Sequence, residues 1–243
     1  AVTADAAKVT GNTLSVTGLS HSHSHSHSHS HSHSQLILKG TSAADTIDLT
    51  QVTAEGAEVV VTGLGGADTI QLGAGTFYLN YTDAADGGSA GDVVTGFDSM
   101  QHRISIGGNL KASLGGSTGT KIASDGYSSF DFYLENTAIG AVLEAANRDM
   151  YTGNMAVSAT NLADKGKVAN LLYGVFMDLH GGGMRVANSK VFAVQASDFN
   201  VTKQFGVYVW TDTSYNPAYV NTTELQILGI FTGPFNADAI LIA

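Results

Sequence analysis

Short apolar bursts separated by Gly and Asp turns fill the first half of the chain. Leu36-Ile37-Leu38, Val59-Val60-Val61, Thr69-Ile70-Gln71-Leu72 and Phe77-Tyr78-Leu79 are all of this kind. Bursts this short, bounded by turn formers, predict a stack of short strands. Upstream, Val9, Asn12, Leu14, Val16 and Leu19 alternate weakly and predict a strand or two within residues 1–20. A Gly-, Ser- and Thr-rich stretch over 111–127 reads as a boundary. Beyond it the texture changes. Phe130, Phe132 and Leu134 alternate with Asp131, Tyr133 and Glu135, as in a strand. Val168, Leu171, Leu172, Val175 and Phe176 follow helical spacing, with Asn161 as the expected N-cap and Gly166 a weakening residue. Three more strands are predicted over 191–194, 205–210 and 225–231. The expected fold is mainly β, with a short β-roll or β-solenoid segment followed by a β-rich, sandwich-like C-terminal domain with one or two helices. The division expected is 1–35, 36–110 and 111–243.

Composition narrows the function classes. Glycine numbers 29 of 243 residues and proline only 2, which suits tight turns between short strands. The net charge is −10 and the basic residues are scattered singly, which argues against nucleic acid and anionic membranes as partners. Carboxylates exceed basic groups, leaving several free to hold a hard cation. Cysteine is absent, so disulfides and thiolate metal sites are excluded. No apolar run is long enough for a membrane span, and no N-terminal signal with a basic start and apolar middle is present.

The most informative segment is Gly63-Leu64-Gly65-Gly66-Ala67-Asp68-Thr69-Ile70-Gln71. Glycines let the backbone take positive φ, so that carbonyl oxygens can face a cation, and the Asp adds a carboxylate. A worn copy, Gly40-Thr41-Ser42-Ala43-Ala44-Asp45-Thr46-Ile47-Asp48, precedes it. These segments resemble the nonapeptide of RTX proteins, G-G-x-G-x-D-x-U-x with U a large apolar residue. Gly63, Gly66, Asp68 and Ile70 match it, and Leu64 departs from it. Asp45 and Asp68 stand 23 residues apart, which is not a multiple of nine and speaks against a regular nonapeptide roll through both. Phe77-Tyr78-Leu79, Asp83, Asp86 and Asp92-Val93-Val94-Thr95-Gly96-Phe97-Asp98 resemble the segment that closes the roll in serralysin-type RTX proteins. His102 and Ser105 stand where that family places acidic residues. The resemblance implies calcium binding at Asp45, Gly63, Gly65, Gly66, Asp68, Asp92 and Asp98.

The strands of the C-terminal half resemble the terminal domain of type I-secreted, S-layer-like surface proteins, where an acidic loop leads into a Glu-Leu strand. Asp212, Asn216 and Glu224 are candidates there for a second cation, although their spacing misses the EF-hand frame by one residue, and a solvated hairpin loop is the alternative. The tail, Asp238 before Ile240-Leu241-Ile242, resembles an uncleaved type I export signal and reads equally as an ordinary last strand. Residues 21–34 are a perfect His-Ser repeat. His21, His23, His25, His27, His29, His31 and His33 would lie on one side of an extended chain, a pattern suited to zinc, nickel or copper. Its regularity fits an engineered affinity tract or a native metal-scavenging loop.

Enzyme motifs are thin. Gly87-Gly88-Ser89-Ala90-Gly91 matches G-x-S-x-G, but Gly115-Gly116-Ser117-Thr118-Gly119 matches it too. His180-Gly181-Gly182-Gly183 follows the serine instead of preceding it. No H-E-x-x-H exists, so no enzyme activity is expected. The function expected is the calcium-binding C-terminal region of a secreted, cell-surface protein. It would fold on export through type I secretion machinery and self-associate as a homo-oligomer or polymer, in an S-layer or filament, with cell-surface polysaccharide as a further partner. The alternatives are the tail of a large adhesin or exoenzyme, and a metal scavenger.

Overall fold

The computed structural model describes residues 2–5, 13–15, 35–52, 58–62, 65–115, 117–123, 137–142, 156–177, 189–211, 213 and 220–243. Among the described residues the protein is mainly β, with two sheets and three α-helices.

The first nine strands are β1 (Val2–Asp5), β2 (Thr13–Ser15), β3 (Gln35–Lys39), β4 (Thr46–Asp48), β5 (Glu58–Thr62), β6 (Thr69–Gln71), β7 (Thr76–Tyr81), β8 (Asp92–Thr95) and β9 (His102–Ile106). They alternate between the sheets. Odd strands build one sheet in the order β1-β3-β5-β7-β9, and even strands build the other in the order β8-β6-β4-β2, with every pairing among them parallel. Each turn of chain therefore lays one strand in each sheet, which makes this part a two-sheet β-solenoid. The period is 23 to 24 residues, read from Asp45 to Asp68 to Asp92. That period explains why the glycine-aspartate turns do not fall on multiples of nine.

Strand pleating puts alternate residues inside. In the odd sheet Leu38, Val61, Leu79 and Ile104 are in register and buried. Val59 and Val61 meet register partners on both sides because Leu36, Leu38, Phe77 and Leu79 share the coil period. In the even sheet Ile47, Ile70 and Val94 form the facing row. Each fully buried Leu, Ile or Val contributes about 1.5–3 kcal/mol relative to exposure, and one continuous core joins the two rows.

The second half adds β10 (Ser117–Ala123), β11 (Thr137–Val142), β12 (Lys190–Gln195), β13 (Gln204–Trp210), β14 (Leu225–Thr232) and β15 (Ile240–Ile242). The predicted strands at 191–194, 205–210 and 225–231 are found within β12, β13 and β14. The alternation at 130–135 lies outside the described residues. β14 pairs parallel with β8, and β15 pairs parallel with β9, so the end of the chain supplies one further coil to the solenoid. The even sheet then continues through β13, antiparallel, to β12, β11 and β10. The division expected at residue 111 thus falls inside one pair of sheets and one shared core.

β12 is buried at every position because both faces of the sheet are covered there. Ala193 and Val207 belong to the solenoid core, while Phe192, Val194, Tyr208 and Trp210 pack on the other face beneath α2 (Lys165–Met177). α2 is the predicted helix, and its Val168, Leu171 and Leu172 face that cluster. Its N-terminus is held by Asp164, whose Oδ1 accepts from the N–H groups of Gly166 and Lys167 at 3.0 and 3.2 Å. Asn161 stands one short turn earlier, so the expected cap is displaced by three residues. The remaining α-helices described, α1 (Gly108–Ser113) and α3 (Phe199–Thr202), are short, of six and four residues. No helix among the described residues is long and apolar enough to cross a membrane.

Candidate cation site at the aspartate column

Solenoid stacking brings three of the sequence candidates into one column. The backbone N–H of Asp45 donates to Oδ1 of Asp68 at 2.8 Å, and the N–H of Asp68 donates to Oδ1 of Asp92 at 2.9 Å. Return bonds run from Thr69 N–H to the Asp45 carbonyl and from Val93 N–H to the Asp68 carbonyl. The Asp68 and Asp92 carboxylates therefore each bracket their coil to the preceding one. In the following strand Gly229 is in register with Asp92, so the column ends there. The hydroxyl of Tyr81 donates instead to Asp92 Oδ2 at 2.9 Å.

The turn before the column requires glycine. Gly65 and Gly66 both have positive φ, and a Cβ on Gly66 would lie 2.5 Å from the carbonyl carbon of Ala43. Gly88, also at positive φ, packs as closely on Gly66. Ala43, Gly66 and Gly88 thus form a second column in which successive turns touch backbone to backbone. Gly63 lies outside the described residues.

A fourth carboxylate adjoins the column. Asp86 is 7 % exposed, and its Oδ2 accepts from Thr82 N–H, Thr82 Oγ1 and Asp83 N–H. Asp45 Oδ2 likewise accepts from the N–H and Oγ1 of Thr41. The two turns share a Thr-x-x-x-Asp pattern, the sequence signal that marks Asp86 as the counterpart of Asp45. Tyr81 carries no such signal, because only the fold sets its hydroxyl on Asp92.

One oxygen in this cluster has no partner: Asp68 Oδ2 is buried and makes no hydrogen bond. Burial raises the Asp68 carboxyl to about 6, with Asp45 and Asp86 adding to the rise. Burial raises Asp92 to about 7, and Asp68 and Asp86 add to that. Tyr81 is pushed well up by burial and by Asp92. The charges acting on the two aspartates are thus other carboxylates. An ionised, buried and unpaired carboxylate oxygen is costly, and either a proton or a cation relieves it.

A hard cation fits this chemistry at Asp68 Oδ2, beside the carboxyl groups of Asp86 and Asp92. Among the described residues no three His, Asp or Glu side chains gather closely enough to hold a metal by themselves. Further oxygen ligands would come from backbone carbonyls of the glycine turns, as calcium accepts.

The other candidates lie elsewhere. Asp98 is at the opposite corner, where its Oδ1 accepts from Met100 N–H and its Oδ2 from Gln101 Nε2. There the N–H of Asp98 donates to Nδ1 of His102 at 2.9 Å, and Nε2 of His102 is 3.1 Å from the carbonyl oxygen of Gly73. Nδ1 must accept, so Nε2 carries the proton and donates, fixing a neutral tautomer. Burial lowers the His102 pKa, and the ring packs edge-on against Phe77 and Phe97. His102→Leu should destabilise the protein by about 1–3 kcal/mol by leaving the Asp98 N–H and Gly73 carbonyl unpaired. Urea denaturation at pH 8 measures that loss.

Glu224 is buried at the start of β14. Its carboxylate accepts from Thr213 N–H and Oγ1, Asn221 N–H and Trp210 Nε1. Four donors tie it to the chain leading into β14, and it stands apart from the aspartate column. Asp212, Asn216 and the seven histidines of the His-Ser repeat lie outside the described residues. Ser89 of the G-x-S-x-G match is exposed in a loop that runs from β7 to β8.

No family model, curated protein or solved structure matches the chain.

Proposed function

We propose that the chain is the calcium-binding C-terminal part of an exported bacterial surface protein of the RTX kind, folding outside the cell and self-associating into a layer or filament. The observation that carries this reading is Asp68, a fully buried carboxylate with one unpaired oxygen, stacked between Asp45 and Asp92. Without a cation this column works against the fold at neutral pH. With one, the same buried charges hold successive coils together. Metal binding free energy then becomes folding free energy. A chain of this sort stays extended where calcium is scarce and folds where it is plentiful, which suits passage through a narrow type I export channel.

Titrating calcium into EGTA-treated protein, followed by circular dichroism and light scattering, tests the reading. The expected result is a calcium-driven gain of β signal and thermal stability together with growing particles. A gain of β signal without growth would favour the export tail of an adhesin or exoenzyme. No response to calcium at all would end the calcium reading, and the aspartate column would then be only an inter-coil bracket.

A further inference from the structure

The outward face of the odd sheet carries a groove of about 580 Å3, floored by Glu58, Val60, Tyr78, Asn80 and Ser105 and walled by the last strand at Leu241. This volume is in the range of small-molecule sites. The groove runs across the strands. Val60 is in register with Tyr78, while Asn80, Ser105 and Leu241 form the next row through β7, β9 and β15.

Its polar groups are free to bind a ligand. Ser105 is only 8 % exposed, yet its hydroxyl has no hydrogen-bond partner among the described residues, and neither has the Asn80 side-chain amide. Both groups face open space, where a ligand's donors and acceptors can replace water. Here a hydroxyl and an amide, both able to donate and accept, open into a cavity beside the Tyr78 ring and the Glu58 carboxylate. The Tyr78 hydroxyl and Glu58 Oε1 are 3.4 Å apart.

We propose that this groove binds a neutral oligosaccharide laid along the solenoid axis. The ligand chemistry follows from the lining. Glu58 is the one charged side chain lining the groove, and Arg103 stands in register beside Tyr78, so the two opposite charges offset and favour a neutral ligand. The mixed donors and acceptors match vicinal hydroxyls, and Tyr78, Val60 and Leu241 supply flat apolar surface for the carbon faces of sugar rings. The geometry agrees. Neighbouring strands are about 4.8 Å apart, close to the advance of one ring in an extended pyranose chain, so successive rings meet successive strands. A peptide adding to the edge of β15 would run parallel to the strands instead and would leave Asn80 unused. This inference rests on the groove alone and does not depend on calcium at the aspartate column.

Affinity electrophoresis of the calcium-treated full chain through gels containing dextran, mannan, hydroxyethylcellulose or soluble chitin oligomers tests it, with heparin as the charged comparison. At least one neutral polymer should retard the protein, and Tyr78→Ala and Ser105→Ala should each weaken that retardation at least fivefold. Ser105→Ala removes an oxygen that no intramolecular group uses, so its thermal melt should match the parent and a folding defect is separated from lost binding. The proposal is overturned if no neutral polymer retards the chain, if retardation survives both substitutions, or if heparin binds in preference.

Discussion

Gly66→Val should lower the unfolding free energy by about 2–5 kcal/mol, combining the strain of a β-branched residue at positive φ with overpacking between coils. Gly66 has φ +91°, and its missing Cβ would press on the backbone of Ala43 and Ala44 at 2.5–2.7 Å. Backbone atoms cannot rotate away as a side chain can, so the coils themselves must separate. The bracket from Asp45 N–H to Asp68 lies within the same turn and would lengthen with them. Gly65→Ala supplies the control. Its φ is +103°, but a Cβ there meets only Ser42 Cα at 3.9 Å. It should lose only the conformational part, about 1–2 kcal/mol. Urea unfolding of both variants separates strain from contact, and equal losses would mean that the close approach of the turns contributes nothing.

The second large effect concerns protons and calcium at Asp68 and Asp92. Both carboxyls are raised in the folded state, to about 6 and about 7, above their unfolded value of 3.8. The folded protein therefore holds protons that the unfolded chain releases. The stability they supply is complete below pH 3.8 and is lost as pH rises through 6 to 7. His102 acts in the opposite sense, since its lowered pKa removes stability as pH falls below 6.5. Comparing the parent with Asp68→Asn cancels the histidine contribution. In EGTA the variant should gain on the parent by about 1–3 kcal/mol between pH 5 and pH 8, because it carries no charge to bury. Adding calcium at pH 8 should restore the parent and leave the variant unmoved. Thermal melts at the two pH values, with and without calcium, give the four numbers. A parent and variant that respond alike to calcium would place the cation elsewhere.

The strands were legible in the sequence wherever an apolar burst was short and bounded by turns, because pleating and turn chemistry are local. Ile47 and Ile70 could be read as core residues from their place after the Gly-Asp turns, and both are buried in register. α2 was legible for the same reason, since Val168, Leu171 and Leu172 repeat at helical spacing. Its cap was misplaced from Asp164 to Asn161 because both residue types cap well and only the backbone path chooses between them.

The sequence by itself determined that the chain is mainly β, turn-rich in its first half and supplied with more carboxylates than cations. Only the tertiary structure decided which turns stack. A coil of 23 to 24 residues puts Asp45, Asp68 and Asp92 in one column, while Asp98 falls at the opposite corner, where it opens a turn. The return of β14 and β15 to the solenoid joins residues more than a hundred positions apart. Tyr81 enters the site through that stacking alone, and Asp86, although marked by its Thr-x-x-x-Asp turn, is set beside the column by it. Register between coils is fixed by the whole set of inward side chains fitting together, and no local pattern reports it. The burial that raises Asp68 and Asp92 is a property of that fit, which is why their chemistry could be nominated from the sequence but their environment could not.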